Sequence, residues 1–378
     1  MQSKICKMLD IEFPLLAFSH CRDVVVAVSK AGGMGVFGAV NLPPERLEEE
    51  LKWIDDHVEG KPYGIDLIVP NKYEGKGKQV TTEDIVKAVP DEHKTFANSI
   101  LASHDIETEE TQEIRQGTIQ FGRNLSEEGA ESTLEVAMKH PIKLIANALG
   151  VPPKIMLDLG KKHNVAVAAL VGAKEHAIRQ VEAGVDILVV AGGEAGGHCG
   201  DVSTMVLVPE VYNAIKDIKE DVPILAAGGI TTGSQMAAAM TMGADGAWCG
   251  SVWLTTSEAE TNPVVKEKML AASSRDTVRS RSRTGKYSRQ LRSPWTDAWE
   301  NDGPEPLPMP LQSLVSEPAL RKIDKLSQGG HEGAKQLATY WVGQGVGLMN
   351  HSLSAGTVVQ NFKEDFAEAL ERLNNYFD

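Results

Sequence analysis

The sequence predicts an α/β protein built on a (β/α)8 barrel with a smaller, mainly helical lid domain. Three observations carry that prediction. Eight short apolar runs alternate with helical patterns, glycine clusters stand directly after the later runs, and the chain of 378 residues exceeds the ~250 of a barrel by roughly 130. Strands alternating with helices imply a parallel sheet, and eight such units imply a sheet closed on itself rather than an open, doubly wound one.

In order, the runs are Pro14 to Phe18, Met34 to Ala39, Tyr63 to Val69, Lys143 to Leu149, Val165 to Val171, Asp186 to Ala191, Pro223 to Ala227 and Gly246 to Leu254. Each is short, apolar and punctuated by glycine, which suits strands buried on both faces. Asp23 to Ala31 reads as a helix whose end is capped by Gly32 and Gly33. Lys174 to Ala183 places Ile178 and Val181 on one face, and Val211, Ile215 and Ile218 recur at i, i+4 and i+7. The barrel is assigned to residues 1–70 and 141–256. Two insertions, 71–140 and 257–352, are expected to pack together as a lid or substrate domain beside the mouth. The first is polar and rich in Lys and Glu; the second carries Pro304, Pro306, Pro308 and Pro310, then a helical pattern with Leu320, Ile323 and Leu326 on one side. Residues 353–378 form a final amphipathic helix through Phe362, Phe366, Leu370, Leu373 and Phe377, a face expected to pack into the core.

Composition narrows the function classes. With 38 basic and 52 acidic side chains the formal net charge is −14, so neither nucleic acid nor an anionic membrane is attracted over the whole surface. No apolar run approaches the ~20 residues needed to span a bilayer, and residues 1–6 do not resemble a secretory signal. Cys6, Cys21, Cys199 and Cys249 are scattered, with no Cys-x-x-Cys pair for zinc or dithiol chemistry, as in a reducing compartment. A cytoplasmic protein acting on a small molecule is expected, with no metal.

Three glycine clusters indicate what the barrel holds. Gly33-Met34-Gly35-Val36-Phe37-Gly38 matches G-x-G-x-x-G, but it follows a helix and enters a strand, the reverse of the dinucleotide fingerprint. Ala226-Ala227-Gly228-Gly229-Ile230 and Cys249-Gly250-Ser251 follow the seventh and eighth runs, where barrel enzymes commonly bind phosphate through backbone N–H groups. The third cluster, Gly192-Gly193-Glu194-Ala195-Gly196-Gly197-His198-Cys199-Gly200, follows the sixth run at the same end. A histidine there can exchange protons near neutral pH, and glycines let a planar ligand approach the backbone. Glu194 is a second candidate acid or base, or else a cap for loop N–H groups.

Gly193 to Gly200, with Ala226 to Ile230 and Met242-Gly243-Ala244-Asp245-Gly246 leading into Gly250-Ser251, resembles the nitronate monooxygenase family, formerly the 2-nitropropane dioxygenases. The resemblance runs from Phe13 to Ser251 and reappears at Gly343-Gln344-Gly345. It implies that the phosphorylated ligand is FMN, with its phosphate on Gly228, Gly229, Gly250 and Ser251, its ring near Gly196, and His198 as the catalytic histidine. It also implies FMN-dependent oxidation of alkyl nitronates by O2. Related enzymes on the scaffold are NADH:quinone reductases and enoyl-acyl-carrier-protein reductases, so an NAD(P)H-dependent flavin reductase, or a flavin-binding protein without turnover, is the alternative. Three positions depart from the family pattern. Ala17-Phe18-Ser19-His20 replaces the usual Ala-Pro-Met, Asp66 stands where an asparagine is offered to the flavin, and Ala191 replaces a glutamine. A charged Asp66 beside the ring would disfavour the anionic reduced flavin. His20 is a candidate second proton carrier at the mouth, and Cys199 beside His198 raises the weaker possibility of a thiol nucleophile. Finally, Arg275, Arg279, Arg281, Arg283, Lys286, Arg289 and Arg292 form a basic stretch in the second insertion, readable as an anion site or as a solvated face with ion pairs.

Overall fold

The computed structural model describes residues 1–40, 42–67, 88–108, 127–148, 150–219 and 221–377, except for the side chains of 127–130. The strands are β1 (Leu15–Ser19), β2 (Met34–Gly38), β3 (Tyr63–Leu67), β4 (Leu144–Asn147), β5 (Ala166–Val171), β6 (Ile187–Ala191), β7 (Gly197–His198), β8 (Ile224–Ala227), β9 (Gly246–Cys249), β10 (Thr277–Ser280) and β11 (Ser288–Leu291). All but β7, β10 and β11 close into a parallel barrel in chain order, β9 returning to β1 with Trp248 opposite Leu16.

The eight apolar runs are these eight barrel strands, with different ends. The run read through Leu254 stops at Cys249, and Ser251–Thr255 forms a 3₁₀ helix instead. There the Trp253 indole N–H donates to the Cys249 carbonyl at 2.7 Å, and the ring is buried among barrel helices rather than on a strand face. Ile68, Val69 and Leu149, read as strand ends, lie outside the described residues, as do 71–87 and 109–126 of the first insertion.

Alternation along the strands separates two cores. Leu16, Met34, Val36, Leu144, Ala146, Val189, Leu225 and Trp248 fill the barrel, and the first helix, Lys4–Leu9, closes its lower end with Ile5 and Leu9. Outward residues such as Ile65 and Leu67 meet the helical layer. The helix Arg22–Lys30 lies so close to β2 that a Cβ at Gly35 would stand 2.3 Å from the Val25 carbonyl oxygen. The G-x-G-x-x-G match therefore serves helix-on-strand packing within β2. The helix Glu127–Ala137, assigned above to the first insertion, packs through Leu134 and Ala137 against Leu47 and Leu51 of Pro44–His57, so the barrel layer begins before residue 141.

A further apolar cluster joins the two insertions. Ala97, Ile100 and Leu101 of the helix Asp91–Ala102 meet Trp295, Trp299, Leu320, Ile323 and Leu337. The segment is mainly helical, with one exception that reasoning from the sequence missed. Strands β10 and β11 form an antiparallel hairpin, and β11 pairs with β7, setting Ser288 opposite His198.

Two helical expectations need correction. Ile218 lies beyond the helix Thr204–Ile215 and is exposed, because the chain has already turned away after Ile215. In the last helix, Ala355–Asn374, Phe362 and Phe366 are buried, packed against Gly233–Thr241, whereas Leu370 and Leu373 are exposed where the helix runs past its support, and Phe377 is exposed beyond its end.

Candidate active site

The glycine loops converge at the carboxyl ends of the strands. Gly228 and Gly229, directly after β8, have φ of 102° and 72°, a region that favours glycine. A Cβ on Gly228 would press on the Thr204 hydroxyl and the Gly192 carbonyl, and one on Gly229 would reach the Glu194 side chain. The loops after β6 and β8 therefore touch. Beyond β9, a Cβ on Gly250 would meet nothing closer than the Phe18 ring at 3.8 Å, and the Ser251 hydroxyl accepts the Gly343 N–H at 2.8 Å.

Gly343-Gln344-Gly345 ties these loops together. The Gln344 N–H donates to the Glu194 carbonyl at 2.9 Å, a Cβ on Gly196 would stand 2.7 Å from the Gly343 nitrogen, and one on Gly345 would stand 2.9 Å from the Gly229 carbonyl. Gly196, Gly229 and Ser251 are thereby held by a strap that arrives about a hundred residues later in the chain.

Glu194 is a cap. Its Oε2 accepts the Thr204 N–H at 2.8 Å and the Thr204 hydroxyl at 2.9 Å, satisfying the first N–H of the helix Thr204–Ile215, whose own N-cap Ser203 provides no side-chain bond. Of its two roles proposed from the sequence, the structure supports this one.

His198 stands on β7, paired with β11 of the hairpin. Its Nε2 lies 2.8 Å from the Thr284 hydroxyl in the hairpin turn, and its ring is 6.2 Å from that of Trp341. Protein surrounds most of the imidazole while one side is exposed. Burial pushes it down to about 4, with the charges of Lys286 and Arg283 adding to the shift. Solvent at the open side works against that shift, and the direction that burial sets favours the uncharged ring. Thr284 was missed from the sequence, since nothing local connects positions 198 and 284.

Asp66 is the penultimate residue of β3. Ile65 and Leu67 point outward, so its carboxyl enters the barrel interior between Gly38 of β2 and Ala146 of β4. The residue is 2% exposed, and Oδ1 is enclosed without a hydrogen-bond partner among the described residues. Burial raises the carboxyl well above the usual carboxylate range. That direction works against the charged Asp66 considered from the sequence, and no cation or donor among the described residues supports an anion there. Phe18 and His20 lie over Gly38, whose carbonyl oxygen is 2.7 Å from the His20 Nδ1. That carbonyl can only accept, so Nδ1 carries the hydrogen and Nε2 keeps its lone pair. Burial lowers the pKa of His20 while the Gly38 bond opposes the shift, though the ring retains an exposed side. Ala191 ends β6, at the rim of the barrel interior.

The basic stretch divides. Arg281 pairs with Glu305, Arg292 with Asp297 and the buried Arg283 with Glu317, while Arg283 also stacks on Trp341 with its guanidinium 4.0 Å from the ring. Arg289 donates to the Gly193 carbonyl, and Arg279 lies over Tyr287. Most of the run is thus committed to internal contacts. Cys199 is partly buried, and burial raises its thiol pKa against the opposing charges of Arg289 and Arg279, which disfavours a nucleophilic role.

A profile of the nitronate monooxygenase family matches residues 3–365. The chain belongs to that family. Over 99% of its length it is 49% identical to Rv1533 of Mycobacterium tuberculosis, covering 98% of that protein, which carries a provisional monooxygenase name. It is 25% identical to a Staphylococcus saprophyticus protein provisionally named nitronate monooxygenase, over 98% of this chain and 99% of that one. Among solved structures, a nitroalkane oxidase from Streptomyces ansochromogenes superposes with a TM-score of 0.79 at 22% identity, covering 98% of this chain and all of the other. FabK from Thermotoga maritima superposes at 0.71 with 24% identity, covering 100% and 99%. These two likenesses establish the shared fold. Family membership and the relatives make the protein an oxidoreductase of the monooxygenase kind, and no helix among the described residues is long and apolar enough to cross a membrane.

Proposed function

We propose that the protein binds FMN and uses O2 to oxidise alkyl nitronates to a carbonyl compound and nitrite. The observation that carries this reading is His198, held beside the Thr284 hydroxyl on the same loop as the glycine floor. The residues fit a phosphorylated flavin: a Cβ at Gly250 would meet nothing closer than 3.8 Å, the Ser251 hydroxyl accepts from Gly343 and keeps its own hydrogen to donate, and Asp66 has an oxygen without a partner among the described residues. Gly228, Gly229, Gly250 and Ser251 would hold the phosphate, and Gly196 and Asp66 would face the ring. Bound FMN would supply a reversible electron acceptor beside the substrate.

The protein's own groups then bind and orient. A nitronate is anionic, and His198 meets it as a hydrogen-bond donor rather than as a cation. Thr284 has one hydroxyl hydrogen, offered either to His198 Nε2 at 2.8 Å or to the Lys286 carbonyl at 3.3 Å. When it goes to Nε2, the imidazole hydrogen sits on Nδ1, available to the substrate oxygen. Lys286 and Arg283 add positive potential beside the ring.

The test is the visible spectrum of the purified protein, recorded anaerobically before and after adding an alkyl nitronate. A flavin spectrum that changes supports the reading. Flavin bleached by NADH but not by nitronate makes the protein a flavin reductase, flavin changed by neither makes it a binding protein, and no flavin at all removes the phosphate-site argument. His198→Ala is expected to keep FMN while losing most turnover.

A further inference from the structure

We propose that Asp66 enters the site as a carboxylic acid and gives its O–H hydrogen to the ligand over the barrel mouth, filling the donor role of the asparagine amide in the family pattern. This deepens the FMN reading and rests on it.

The argument begins with position. Gly38 and Ala146, opposite Asp66 on the two flanking strands, bring no polar side chain, and the barrel interior that the carboxyl enters holds an apolar cluster that includes Val36, Leu144 and Trp248. Oδ1 is sealed from solvent with no partner among the described residues. A buried carboxylate needs a cation or several N–H donors, and here neither is present among the described residues. The titratable groups at the mouth are committed elsewhere. His20, over the adjoining strand, gives its Nδ1–H to Gly38; His198 is engaged by Thr284; Arg283 pairs with Glu317; and Lys286 lies beside His198. None of them acts on Asp66, for which burial is the sole cause of its raised pKa. A neutral acid has the shape of an amide with O–H in place of N–H, so Asn→Asp at this position preserves a donor only while the proton is present.

Infrared difference spectra of wild type minus Asp66→Asn, taken on the full-length protein at neutral pH with flavin removed, read the protonated carboxyl directly. The expected result is an acid C=O band present in wild type, absent from the variant and moved to lower frequency when FMN is added. FMN dissociation constants add a second readout: Asp66→Asn is expected within about threefold of wild type, and Asp66→Ala, which removes the donor, about tenfold weaker. Absence of the acid band overturns the proposal. So does a band that ignores FMN, or an alanine variant that binds FMN as tightly as the asparagine variant. Wild-type protein that binds no FMN refutes the proposed function instead, and the band in the flavin-free protein then decides the protonation state alone.

Discussion

Replacing Asp66 by asparagine changes how the stability of the protein depends on pH, and the size of the change follows from the burial of one carboxyl. In the unfolded chain an aspartate loses its proton near its ordinary value of 3.8, whereas in the folded barrel burial holds the proton to much higher pH. Between those two limits the folded state binds one more proton than the unfolded state. Wild type therefore loses stability as pH rises, by about 1.4 kcal/mol per pH unit over the whole range in which the folded carboxyl stays protonated, and the loss ends once pH passes its folded pKa. Asparagine carries no such proton, and every other titrating group is common to both proteins. The difference between variant and wild type thus isolates residue 66: Asp66→Asn should gain on wild type by about 1.4 kcal/mol for each unit above the ordinary aspartate range, a large step for a protein stable by ~5–15 kcal/mol. Urea unfolding of flavin-free protein at a series of pH values measures this, since bound flavin would add its own stabilisation. A difference that does not change with pH, or one in which wild type gains as pH rises, would refute the buried neutral acid.

The remaining predictions concern the loops and His198. Gly343→Ala places a Cβ about 2.6 Å from the Glu194 carbonyl, so the strap must move away from the Gly196 loop; a cost of about 1–3 kcal/mol and weaker FMN binding are expected, measured by unfolding and by fluorescence titration. Unchanged values would show that the strap does not hold the loop. Cys199→Ser should leave turnover within about twofold of wild type, because a thiol with a raised pKa is a poor nucleophile; a loss of a hundredfold would restore the nucleophile reading. Thr284→Val removes the hydroxyl beside His198 Nε2 while keeping its volume, and about a tenfold loss of turnover with FMN retained is expected. With the imidazole uncharged, turnover in wild type should show no His198 ionisation between about pH 6 and 8; an imidazole titration in the kcat profile there would contradict it.

The barrel was legible because its strands are buried on both faces. A run such as Ile187–Ala191 has no polar side to hide its pattern, and the turn glycines fall where the chain must reverse. The same rule failed after Cys249, where Val252, Trp253 and Leu254 are as apolar as a strand but form one turn of helix, with Val252 and Trp253 buried. The glycine clusters and His198 could be found because each lies within one short segment that follows one strand. What escaped was made by distant partners. Strand β11 reads as a basic stretch because Arg289 lies along it, yet it pairs with β7 and brings Thr284 to His198 across 86 positions. The proton on Asp66 is of the same kind: an aspartate in a sequence is charged by default, and only the apolar surroundings that Gly38, Ala146 and the barrel interior provide make the neutral form the stable one. The barrel thus supplies the floor of the site and the state of Asp66. The second insertion supplies, through one sheet, the hydroxyl beside His198 and positive charges that add to the effect of burial on it. A change of substrate within this family can therefore arise in the hairpin with the glycine floor untouched, because His198 is contacted from the hairpin while the glycine loops are held by Glu194 and the Gly343 strap.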